Sequence, residues 1–210
     1  MRRPEAIARQ SGHPIGLVGH LIATVMALET AAVNKAAIAL LQLRGTDRVI
    51  DVGTGHGRGL RSLAAATPSG LAVGVDHSAV MCAHARRHTR LLGIAGRVQV
   101  VQAGSDTLPF QDGHFDAALS VHTLYFWQPA EKHLREIARV LKPTGRLVLA
   151  FTPSGAASTR NFPESVYRFR SADEVLALLH ACGFTDVELF GGDTAAPAVV
   201  FARARRLEDA

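Results

Sequence analysis

Hydrophobic and polar positions follow two different periods along this chain. From Gly19 to Leu43 the apolar residues recur at helical spacing, with Leu21, Val25, Leu28 and Ala32 on one line and Met26, Val33 and Ala37 on another. Gly45 ends that pattern. Beyond it, short apolar runs alternate with amphipathic stretches. The runs predict strands at Arg48–Val52, Leu71–Val75, Val98–Gln102, Phe115–Val121 and Arg146–Phe151. Between them the pattern predicts helices at Gly57–Ala66, Ser78–Leu92 and Pro129–Leu141, the last with Pro129 in the first turn, where its missing N–H is no loss. After a looser stretch, Ser171 and Glu174 form a capping box ahead of Val175, Leu178 and Leu179, and Gly183 closes that helix. Val187–Phe190 and Pro197–Ala204 supply late strands that suit an antiparallel edge.

Alternating strands and helices require crossover connections, so the sheet is mostly parallel and covered on both faces. The predicted fold is α/β: a doubly wound, seven-stranded, mostly parallel sheet in residues 45–210, with an N-terminal helical extension in residues 1–44. Composition adds little to this. Apolar residues make up 48% of the 210 positions and charged residues 20%, a globular balance. The net charge of +5 comes from an Arg-rich surface, and its densest run, Arg86, Arg87, His88 and Arg90, lies on an amphipathic helix and reads as a solvated face. Cys82 and Cys182 sit in apolar helical contexts, as buried thiols do, and the sequence shows no metal-ligand cluster. The longest uncharged run, Ile15 to Leu28, falls short of the roughly 20 residues a bilayer requires. No signal pattern precedes it, so the expected location is the cytoplasm.

Candidate chemistry concentrates at Asp51-Val52-Gly53-Thr54-Gly55-His56-Gly57, which leaves a strand and opens a helix. A dinucleotide turn needs Gly-x-Gly-x-x-Gly, but Arg58 stands at the third glycine when counting from Gly53, and Leu60 when counting from Gly55. Asp51 ends the strand where a carboxylate would meet an ammonium group and repel a pyrophosphate. Asp76 ends the next strand, where acids accept hydrogen bonds from a ribose diol. Together these residues suit an adenosyl amino acid better than NAD.

The stretch Asp51–Gly57 resembles the first motif of the class I S-adenosylmethionine (SAM)-dependent methyltransferases, and Gly74-Val75-Asp76 resembles their second. Leu108-Pro109-Phe110 with Phe115-Asp116, and Glu136–Leu147 with its Arg139-Val140-Leu141-Lys142-Pro143 core, are similar to segments of the UbiE-like (methyltransferase type 11) branch. Ala181-Cys182-Gly183-Phe184 resembles a closing motif of the family, so the likeness covers roughly residues 46 to 190. It departs in two places. Thr144 replaces a turn glycine, and Gly104 stands where the family commonly has an acid for the adenine amino group.

The resemblance implies SAM as cofactor. Asp51, Gly53, Thr54, Gly55 and Gly57 would hold its methionine end and Asp76 its ribose. His77, Met81 and Val121 would lie along the nucleoside. At the adenine end, either Asp106 swings in or Ser105 and the backbone of Gly104 take over.

His122 follows the fourth strand and is the candidate catalytic group near the transferred methyl. It either removes a proton from the acceptor or, bonded to backbone, shapes the surroundings of the cofactor. His20 is a second candidate, in an N-terminal segment that would act as a lid. Met26, Glu29, Tyr125, Trp127 and Tyr167 are candidate substrate contacts. The place after the fourth strand reads Val121-His122-Thr123-Leu124, without the Asn/Asp-Pro-Pro-aromatic motif of enzymes that methylate base amino groups. The expected reaction is therefore methyl transfer to a small molecule, without a nucleic-acid partner, by a monomer or homodimer. The alternatives are macromolecular methylation, SAM binding without turnover, and NAD-dependent oxidation.

Overall fold

The computed structural model describes residues 31–191 and 199–208. Its elements run α1 (Ala31–Leu40), β1 (Arg48–Val52), α2 (Arg58–Ala66), β2 (Leu71–Asp76), α3 (Ala79–Leu91), β3 (Val98–Gln102), β4 (Phe115–Val121), α4 (Ala130–Val140), β5 (Leu141–Phe151), α5 (Ala172–Ala181), β6 (Phe184–Gly191) and β7 (Val200–Arg206). Short 3₁₀ turns occupy Leu124–Phe126 and Ala157–Asn161. The strands form one sheet in the order β3-β2-β1-β4-β5-β7-β6. β1 to β5 pair in parallel, and β7 runs antiparallel to both β5 and β6. The late pair is thus antiparallel as its sequence suggests, but β7 inserts inward and β6 forms the edge.

Alternate positions along each strand enter different cores. Ile50, Val52, Val73, Ala118, Leu147 and Leu149 pack with Leu134, Ile137 and Leu179 under α4 and α5. Val49, Ala72, Ala117, Leu119 and Val148 pack with Ala37, Leu60, Leu63 and Ala85 under α1, α2 and α3. That strict alternation on strands buried on both faces explains why they read as unbroken apolar runs. α1 is one of the covering helices, since Ala37 and Leu41 are fully buried. The rest of the predicted N-terminal extension lies outside the described residues. Cys82 and Cys182 are buried free thiols. Among the described residues, no helix is long and apolar enough to cross a membrane, and no cluster of side chains could hold a metal ion.

Two local signals act as their chemistry dictates. Ser171 accepts a bond from the Glu174 N–H at 3.1 Å, and the Glu174 carboxylate accepts from the Ser171 N–H at 2.6 Å, completing the capping box. The segment read as a turn before the fifth strand is instead absorbed into β5. Phe115 pairs with Leu141 and Ala117 with Arg146, so residues 142–145 bulge from the ladder. Within that bulge the exposed Thr144 has φ 60°, in the left-handed region that disfavours a side chain by about 1–2 kcal/mol. After the extra entropy that glycine loses on folding, Thr144→Gly is expected to raise stability by about 0.5–1 kcal/mol in urea unfolding. An unchanged or lower midpoint would show that the bulge carries no strain.

Candidate functional site

Strand order reverses between β1 and β4, and ligands of open α/β sheets bind beyond the carboxyl ends of the strands at such a point. Asp51, Asp76 and His122 all arrive at that edge. Asp51 lies on β1 opposite Gly74 of β2 and Leu119 of β4, and only 4% of its surface is exposed. The Thr54 hydroxyl donates to its Oδ2 at 2.7 Å. Burial, opposed by that bond and reinforced by the nearby Asp76 charge, pushes the Asp51 carboxyl up to about 6. A Cβ placed on Gly59 would lie 3.3 Å from Asp51 Oδ2 and 3.5 Å from Asn34 Oδ1, so α1 brings an amide toward the same carboxylate.

The glycine turn is spent on its own architecture. The N–H groups of Gly53 and Thr54 donate to the Val75 carbonyl, at 2.8 and 3.0 Å, and that of Gly57 donates to the Thr54 carbonyl at 3.0 Å. The Gly55 N–H donates to Asp76 Oδ2, and the Ser78 N–H to Asp76 Oδ1, each at 2.9 Å. A pyrophosphate cradle needs free N–H groups. Here the N–H groups of Gly53, Thr54, Gly55 and Gly57 are occupied, and two carboxylates flank the turn. The site is built for a cationic ligand with hydroxyls.

SAM fits such a site. Its ammonium and sulfonium charges offset the buried carboxylates, and each Asp76 oxygen keeps acceptor capacity for a diol. The turn also leaves room for a ligand, because a Cβ added at Gly55 would meet no protein atom within 4 Å.

The nucleoside side shows where the remaining predicted contacts sit. His77 is half-exposed and stands 3.7 Å from Asp76 Oδ1. Met81 is buried, with its N–H bonded to the Ser78 hydroxyl, so it packs in the first turn of α3. Val121 is partly buried at the end of β4. Asp106 leans over Gly104, its Oδ1 2.6 Å from where a Cβ on that glycine would lie, while its Oδ2 accepts from Lys132 of α4 at 2.8 Å, which holds its carboxyl below the usual range. The Ser105 hydroxyl bonds His133 Nδ1 at 2.7 Å, and the His133 ring stacks on Trp127 with centroids 5.3 Å apart. Both loop side chains are therefore tied to α4.

The loop after β3 has a further anchor. Glu136 accepts from the Leu108 N–H at 2.7 Å, while Arg139 binds Glu136 and the carbonyls of Leu108 and Phe110. This clamp gives a physical reason for the Leu-Pro-Phe and Glu-x-x-Arg segments to occur together.

At the end of β4, His122 has φ 58° and donates its N–H to the Ala150 carbonyl at 2.8 Å. Its Nδ1 lies 2.9 Å from the Tyr125 hydroxyl, whose oxygen also accepts from the Thr152 N–H. Burial pushes His122 down to about 4 and Tyr125 up to about 12, so both are neutral at pH 7.

Tyr125, Trp127 and Tyr167, the candidate substrate contacts among the described residues, are 4–5% exposed and packed in a cluster with Phe126, Phe162 and Phe169. Ser120 and Thr123, which sequence reading did not single out, support the turn from behind. The two hydroxyls bond each other, and Ser120 also donates to the Val52 carbonyl at 2.9 Å. His20, Met26 and Glu29 lie outside the described residues.

Comparison with known proteins agrees with this geometry. The methyltransferase domain family matches residues 50–149. The ubiquinone/menaquinone biosynthesis C-methyltransferase UbiE of Syntrophotalea carbinolica is 33% identical over 186 residues, covering 75% of this chain and 78% of that protein. The demethylmenaquinone methyltransferase of Thermus thermophilus is 31% identical over 179 residues, covering 72% and 80%. A Haloferax volcanii complex of the Trm112 methyltransferase activator with a methyltransferase superposes with a TM-score of 0.77 at 22% identity, covering 99% of this chain and 100% of the matched one. On its motifs, its sheet and these relatives, the chain belongs to the class I SAM-dependent methyltransferases of the UbiE-like branch.

Proposed function

We propose that this methyltransferase acts on a small molecule docked beyond β4, with SAM held between Asp51 and Asp76. Bound SAM supplies an electrophilic methyl on a sulfonium, whose positive charge disappears as the new bond forms. In this reading Asp51 takes the α-ammonium, the turn from Gly53 through Thr54 and Gly55 to Gly57 accommodates the methionine chain, and Asp76 takes the ribose hydroxyls. His77, Met81 and Val121 border the nucleoside, and the backbone of Gly104, Ser105 and Asp106 faces its adenine.

The observation that carries the donor assignment is the pairing of a buried acid with a turn whose N–H groups are already bonded. Small-molecule transfer draws support from the quinone-pathway names of the relatives and from the Val121–Leu124 sequence.

The protein's main catalytic work is orientation. Holding donor and acceptor in line is worth roughly 7–11 kcal/mol in favourable cases, so a strong base is optional. His122 is placed to touch the acceptor, and Tyr125, Trp127 and Tyr167 form the apolar support beneath it. His20, Met26 and Glu29 are assigned to a covering N-terminal segment.

The test uses methyl-labelled SAM with quinols, phenols and amines, alongside bulk RNA and protein. Label is expected in solvent-extractable small molecules. Label confined to acid-precipitable RNA or protein would overturn the acceptor class.

A further inference from the structure

The Tyr125 hydroxyl has one proton to give, and its neighbours determine where that proton goes. The Thr152 backbone N–H can only donate, and it donates to the Tyr125 oxygen. The partner of that oxygen with full hydrogen-bond geometry is His122 Nδ1, 2.9 Å away, and the Thr152 hydroxyl also lies beside the phenol. If Nδ1 carried the imidazole proton, the phenol would receive two donors and its own buried proton would be left with only the less well aligned Thr152 hydroxyl as acceptor. A buried donor without a well-aligned partner is disfavoured by roughly tenfold or more. The phenol therefore donates to Nδ1, and the proton of the neutral ring sits on Nε2. Among the described residues, none hydrogen-bonds to Nε2.

The backbone is held just as firmly. His122 keeps a left-handed φ of 58° at the strand end, pinned by its N–H bond to Ala150. Such conformations cost free energy and persist where the surrounding structure imposes them, often at functional sites.

We infer that Tyr125 is a positioning residue that locks His122 in the Nε2–H tautomer, so that His122 offers the methyl acceptor a hydrogen-bond donor instead of a base. The acceptor it suits carries an oxygen lone pair beside the nucleophilic atom, as a phenolate, enolate or carboxylate-bearing compound does. An alkylammonium offers no such lone pair. This choice of acceptor rests on the docking site proposed above. The tautomer does not, since it follows from bonds within the chain.

Histidine-¹⁵N NMR on the full chain tests the tautomer without donor or acceptor present, with His122→Gln identifying the signal by its loss. The expected pattern for His122 at neutral pH is a protonated Nε2 and an unprotonated Nδ1. In Tyr125→Phe, which keeps the ring and loses only the hydroxyl, the pattern is expected to relax to mixed tautomers. A protonated Nδ1 in the unsubstituted protein would overturn the inference, as would an unchanged pattern in a folded Tyr125→Phe. If that variant does not fold, the unsubstituted protein alone decides. In the acceptor panel, methylation of alkylamines in preference to phenols and enols would overturn the acceptor class while leaving the tautomer intact.

Discussion

Asp51→Asn is expected to weaken SAM binding by roughly 30- to 1,000-fold while making the unliganded protein more stable at pH 7. Both effects have one cause. Asp51 is almost fully buried, its strongest neighbour is a neutral hydroxyl, and among the described residues no cation offsets its charge. An ammonium from the ligand would supply that cation, and an amide cannot replace the pairing.

Without ligand, holding the carboxylate ionised at pH 7 costs about 3 kcal/mol. That is the shift from 3.8 to about 6 at about 1.4 kcal/mol per unit. Asparagine removes the cost and can still accept from Thr54.

The pH dependence has a definite sign. Between about pH 4 and 6 the folded protein holds a proton on Asp51 that the unfolded chain has released, so this group lowers stability as pH rises. His122 does the opposite. Its folded value of about 4 lies below the ordinary 6.5, so the unfolded chain binds the extra proton and stability rises with pH across that window. In the unsubstituted protein the two slopes largely cancel. In Asp51→Asn the opposing slope is gone, the lowered His88, His114 and His133 act in the same direction as His122, and stability is expected to climb from pH 4 to 6.5. Urea unfolding across that range reads it directly. Equal stability of the two proteins at pH 7 would remove the buried-charge account of Asp51.

Gly53→Ala is expected to destabilise the fold by about 2–5 kcal/mol. Gly53 has φ 79°, where a side chain costs about 1–2 kcal/mol. Its added Cβ would also fall 2.1 Å from Thr123 Cγ2, an overlap worth about 1–3 kcal/mol more. Thr123 cannot turn aside freely, because its hydroxyl is bonded to Ser120, which in turn holds the Val52 carbonyl. The melting midpoint is expected to fall by roughly 5–20 °C. Adding Thr123→Ala should recover the overlap part and leave the backbone part. A Gly53→Ala protein that melts like its parent would show that the turn does not need this glycine.

The parts of the fold that sequence reading located best are those set by local chemistry. The strands Val98–Gln102 and Phe115–Val121 appear with the predicted bounds, and Ser171 caps α5 as its spacing to Glu174 requires. β5 was harder. Lys142–Gly145 reads as a turn, and only pairing with Phe115 on a strand distant in sequence draws it into the sheet.

The same contrast runs through the site. Asp51, the glycine turn and Asp76 are adjacent to strand ends, so their meeting at one edge of the sheet is visible from position alone. The fate of Tyr125 depends on Tyr167 and Phe169, which follow β5 in sequence and are backed by Phe162. Exposed and buried aromatics look identical in a sequence. The loop after β3 shows a further limit: Asp106 is available by spacing, yet Lys132 on α4 has already engaged it.

Co-crystallisation with S-adenosylhomocysteine tests the central claim most directly. The account predicts the amino acid ammonium within hydrogen-bond distance of Asp51, the ribose hydroxyls on Asp76, and the sulfur facing the end of β4 near His122. A ligand seated with Asp51 or Asp76 untouched would contradict it.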